Sequence, residues 1–66
     1  MSQVVYMANQ IARNFAAQGE AAAVAQTAQH IREFWDPRMI AAILAVDPEV
    51  LSDTARAAVR QLTPDP

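Results

Sequence analysis

The stretch that decides the fold is EAAAVAQTAQHIREFWDPRMI, residues 20–40. Val24, Ala28, Ile31 and Trp35 recur at helical spacing, with Phe34 beside Ile31. Glu20, near the start, is favourable against the helix dipole. The pattern stops at Trp35-Asp36-Pro37, because the residue before a proline is pushed out of helical geometry. Asp36 is then placed to cap a new helix, and Pro37 falls at its first position, where a missing N–H costs nothing. A helix, a sharp bend and a second helix are thus written into 21 residues.

Working outward, the preceding segment SQVVYMANQIARNFAAQ, residues 2–18, carries Val4, Met7, Ala8, Ile11, Ala12 and Phe15 on one helical stripe. Asn9, Gln10, Arg13 and Asn14 fall mostly on the other side, and Ser2 is placed to cap the start. Gly19, the only glycine, follows the last periodic residue and fits a helix stop. On the other side of the bend, Ile40, Ile43 and Leu44 are expected to face inward from a short helix. Asp47-Pro48 repeats the earlier punctuation. Ser52 is placed to cap a last helix with Ala55, Ala58, Val59 and Leu62 inward, and Leu51 lies just before the cap. No stretch alternates with a period of two, so no strand is expected. The expected fold is all-α. It is a small bundle of three to four helices, two longer antiparallel ones followed by two short ones, in a single domain over residues 1–66. A frayed tail is expected from about residue 63.

Composition narrows the function. The hydrophobic fraction is 53%, but 15 of those 35 residues are alanine, which favours helix and contributes little core. A chain of 66 residues buries only about 60% of its unfolded surface, so small scaffolds usually lean on disulfides, a metal or a partner. There is no cysteine, and one histidine is too few for a structural zinc site, which leaves a partner. Net charge is −2 and no basic stripe exists to neutralise phosphates, so nucleic acid is not expected as a ligand. No apolar run approaches a membrane span, and the N-terminus lacks the basic and apolar regions of a secretory signal. A cytoplasmic protein is the expectation.

Catalytic chemistry finds little support. His30 would need a hydroxyl and a carboxylate held beside it, and no nucleophile elbow surrounds Thr27 or any other hydroxyl. Glu33 and Asp36 are three residues apart, but capping explains Asp36 better. A single glycine excludes glycine-rich phosphate loops. No catalytic, cofactor-binding or metal-ligating residue is assigned. What stands out instead is HIREFWDPRM, residues 30–39, which gathers the only histidine, the only tryptophan, a phenylalanine and two of the five arginines. Trp and Arg are enriched among interface hot spots. His30, Arg32, Phe34, Trp35, Asp36, Pro37, Arg38 and Met39 are therefore the expected partner interface. Trp35 on a helix can instead face the core while Phe34, about 100° away, faces out. The expected structural caps are Ser2, Gly19, Asp36 and Ser52.

MANQIARNF, residues 7–15, followed by HIREFWDPRM resembles the delta subunit of soluble, NAD-dependent, molybdenum-containing formate dehydrogenases. The resemblance covers nearly the whole chain. Its most specific part is His30 to Met39, and its second is Met7 to Ala12. Glu33 and Ile40 stand where a basic residue is common in that family, and Tyr6 replaces a more usual polar or basic residue. The resemblance implies a small accessory subunit, not an enzyme by itself, that stabilises the catalytic subunit or assists its assembly. It implies no cofactor in this chain. The large alpha subunit would carry molybdenum–pterin and iron–sulfur clusters, and the other subunits flavin, further clusters and the NAD site. The alternative is a free-standing helical interaction or regulatory module, for instance a homodimer.

Overall fold

The structure is a computed structural model that describes residues 3–63. Among them are four α-helices and no strand: α1 Gln3–Phe15, α2 Glu20–Phe34, α3 Pro37–Ala45 and α4 Asp53–Arg60. Two 3-10 turns, Ala16–Gln18 and Pro48–Val50, join α1 to α2 and α3 to α4. The all-α bundle is as the periodicity predicts, with the two longer helices first. Ser2 lies outside the described residues.

Each boundary has a local cause. Gly19 sits at φ 95°, ψ 157°, a region that side chains with a Cβ rarely adopt, and this turns the chain from the first 3-10 turn into α2. It is a junction between the two: its N–H donates to Ala16 O at 3.1 Å, and its carbonyl accepts from Ala23 N at 2.8 Å. The simple helix stop expected there is thus replaced by an inserted 3-10 turn. Trp35 and Asp36 are both extended, which ends α2. Asp36 Oδ1 accepts from Met39 N at 2.9 Å, and Pro37 occupies the first turn of α3. Asp47 caps the second 3-10 turn by accepting from Glu49 N at 3.0 Å, and Ser52 Oγ accepts from Ala55 N at 3.2 Å to start α4.

The larger core cluster joins all four helices. It comprises Val5, Ala8 and Ala12 of α1, Ile31 and Trp35 at the end of α2, Ile43 of α3, Leu51, and Ala55 and Val59 of α4. A smaller cluster, Val24, Ala28 and Ala58, joins α2 to α4. Ala8, Ala23, Ala28, Ala55 and Ala58 are wholly buried. With only a methyl at each point, helix backbones approach closely, since interaxial distance follows side-chain size. Alanine thus acts here as spacing, while Ile31 and Ile43 carry the larger transfer energy, about 1.5–3 kcal/mol each.

Two details depart from the expected faces, and the open choice between Phe34 and Trp35 is decided. On α1 Val5 is buried beside Ala8 and Ala12, with Val4 only packed against the cluster's edge. Leu44, expected inward, is 38% exposed, because Ile43 takes the core-facing position of the short α3. Phe34 points outward, 71% exposed, while its neighbour Trp35 is buried.

Candidate partner surface

Residues 30–39 divide into a part that serves the fold and a part that faces out. Trp35 belongs to the first. At 7% exposure it is a member of the larger core cluster, so it underlies the corner and offers a partner little contact area. Met39 is half-buried against the same cluster. Arg32 is exposed but occupied: its Nη2 donates to Gln61 O at 2.7 Å and ties α2 to the end of α4. Asp36 is occupied as the α3 cap. The Arg32–Asp36 ion pair that four-residue spacing allows is absent; among the described residues the one ion pair is Arg56–Asp53, at 3.2 Å.

His30, Phe34, Pro37 and Arg38 remain. His30 is half-buried, and its ring packs on Phe34 with centroids 4.8 Å apart and planes tilted by 38°. They lie four residues apart on one helix face, so the stack follows from helical geometry. It also restricts the rotamers of an exposed phenylalanine, which lowers the ordering cost of a contact made through that ring. Pro37 and Arg38 are exposed, and Arg38 makes no ion pair among the described residues. The bend holds these groups together: Trp35 anchors it from below, and the Asp36 cap fixes where α3 begins.

Two polar clamps were not visible in the sequence. Asn9, expected on the outward side of α1 but half-buried against the second 3-10 turn, holds that turn from both directions. Its Oδ1 accepts from Ser52 N at 2.8 Å, and its Nδ2 donates to Val50 O at 3.3 Å. Arg56 grips the same turn from α4, donating to Pro48 O and Leu51 O, each at 3.0 Å, as well as to Asp53. Asn9 meets its partners across more than 40 residues of sequence, so no local pattern could reveal them. Asn9 stands within MANQIA, and that location is the only signal the sequence offered.

Between α1 and the clamped turn runs an open groove. One lobe, about 450 Å³, is lined by Asn9, Ala12, Arg13 and Val50–Ser52 among others, and an adjoining lobe of about 360 Å³ extends it past Tyr6 and Gln10. A smaller apolar cleft, about 170 Å³, lies between α3 and α4 and includes Leu44, Val59 and Arg60. His30 lines none of the three. Among the described residues no group of three or more Asp, Glu or His side chains comes together as a metal site would require, and no helix is long and apolar enough to cross a membrane.

Fold and surface together define a small all-α chain whose unusual side chains gather at a capped bend and whose grooves lie elsewhere. The chain matches the family model described as "NADH-dependant formate dehydrogenase delta subunit FdsD" over residues 3–59. It belongs to that family. The match runs from the start of α1 through nearly all of α4, and so includes both the bend and the Asn9 clamp. No curated protein and no solved structure matches the chain.

Proposed function

We propose that this chain is a non-catalytic accessory subunit of an NAD-dependent formate dehydrogenase, working in the cytoplasm and docking on the large alpha subunit. The observation that carries the reading is the family match over residues 3–59. The chemistry of the chain agrees with it. The exposed Phe34 stacked on His30, with Arg38 beyond the bend making no ion pair among the described residues, offers the aromatic and arginine side chains that interfaces are enriched in. The cofactors of the reaction (molybdenum–pterin, iron–sulfur clusters, flavin and NAD) would reside on the other subunits. This chain's part is to stabilise the catalytic subunit or assist its assembly.

The test is to co-purify the complex from a host expressing Phe34→Ala or Arg38→Ala in this chain. Retention should fall while the isolated variants keep their helical circular dichroism. Phe34 is 71% exposed, so its truncation leaves the core intact. Unchanged retention together with unchanged formate oxidation in both variants would rule out the corner as the contact. Trp35→Ala is unsuited to this test, because emptying a buried aromatic site costs about 3–5 kcal/mol of stability by itself.

A further inference from the structure

We propose a second docking surface, resting on the accessory-subunit reading. The groove between α1 and the Pro48–Val50 turn receives a segment of a larger subunit that carries an apolar side chain close to a carboxylate.

Three observations carry this. First, the chain has four exposed large apolar side chains among its described residues, and two of them, Tyr6 at 57% and Val50 at 51%, line the same lobe of this groove from opposite elements. Single exposed apolar residues need no explanation, but a facing pair across a concavity offers a seat for an apolar side chain. Second, Arg13 lines both lobes and makes no ion pair among the described residues. The other side chains lining the two lobes are apolar, amide or hydroxyl, and the carboxylate at the edge, Glu20, accepts from Thr54 Oγ1 at 2.8 Å, so Arg13 is the one charged group of the lining itself. Its electrostatic complement is a carboxylate. Third, the wall is held in place. Asn9 fixes the backbone at both Val50 and Ser52, and Arg56 holds Pro48 and Leu51 from behind. A surface already ordered loses less freedom when a partner seats on it. The groove shares no lining residue with the bend at residues 30–39.

The occupant is a segment of another subunit and not a second copy of this chain. A self-complementary interface would need the copy to bring a free carboxylate to the same patch; the lining has none, and Glu20 at its edge is already engaged by Thr54.

The experiment uses the full chain in the assembled complex. A photo-crosslinking phenylalanine analogue replaces Val50 in one preparation and Phe34 in another, and cross-linked peptides are identified by mass spectrometry. Arg13→Glu and Arg13→Lys are compared for retention of the chain, with circular dichroism as the folding control. Cross-links from position 50 to a dehydrogenase peptide containing Asp or Glu beside an apolar residue are expected. So is at least a tenfold loss of retention for Arg13→Glu and near-normal retention for Arg13→Lys. Cross-links from position 34 with none from position 50 would overturn the groove and spare the corner. Cross-links from position 50 to another copy of this chain, or to a segment without a carboxylate, would overturn the groove as well. No cross-link from either position while the chain is retained in the complex would overturn the groove and the corner alike, whereas failure of the unmodified chain to co-purify with the dehydrogenase would overturn the accessory-subunit reading.

Discussion

Gly19 and Thr27 are the two positions where a single atom decides most. At Gly19 a Cβ would meet no other atom within 4 Å, so space is not what demands glycine. The backbone angle is, and a residue with a Cβ held there carries strain of about 1–3 kcal/mol. Gly19→Ala is expected to lower the unfolding free energy by that amount in urea titrations, without loss of helix content in the folded state. Thr27 is fully buried, and its Oγ1 finds no hydrogen-bond partner among the described residues. A buried hydroxyl left unpaired gives up its hydration without return. Thr27→Val replaces it with a methyl of similar shape and is expected to raise the midpoint of thermal unfolding, by a gain of about 1 kcal/mol. A fall in the midpoint would mean that the hydroxyl is paired after all.

The elements owe their ends to capping side chains and their positions to longer-range clamps. Asp36 is the cap with the widest consequences, since it fixes the start of α3 and the direction of the bend. Asp36→Ala should cost about 0.5–2 kcal/mol, whereas Asp36→Asn or Asp36→Ser should keep most of the stability. Asn9 does the corresponding work for the second 3-10 turn. Asn9→Ala removes two hydrogen bonds worth about 0.5–1.5 kcal/mol each, and amide hydrogen exchange should accelerate at Ser52, whose N–H loses its acceptor. Asn9→Asp separates the two: it keeps the acceptor for Ser52 N and loses the donor to Val50 O, so Ser52 should stay protected.

On the scale of the whole molecule, the three-way packing of α1, α2 and α4 depends on alanines where large residues would be expected. Ala8, Ala28, Ala55 and Ala58 are wholly buried, and an added isobutyl group at any of them has nowhere to go without parting the helices. Ala58→Leu is expected to destabilise by about 1–3 kcal/mol, read from chemical denaturation. Leu44→Ala, on the exposed side of α3, should change it by no more than about 0.5 kcal/mol. That contrast inverts what hydrophobicity alone would rank, since the smaller side chains here hold the tighter positions.

The helical class, the two Asp-Pro breaks and the caps at Asp36 and Ser52 are local properties. They follow from apolar spacing, Asp-Pro pairs and short polar side chains hydrogen-bonding two or three residues along, and the amino-acid sequence alone determines them. It could not determine which of Phe34 and Trp35 faces out. Both are aromatic and adjacent, and the choice depends on where α1, α3 and α4 lie around the end of α2. It could not show that Arg32 is bound to the Gln61 carbonyl, nor that Asn9 and Arg56 together hold one turn, because those partners meet only once the helices are packed. The corner's residue types were legible in the chain. How they divide between support and surface was decided in three dimensions, where burial and hydrogen-bond geometry act between residues far apart in sequence.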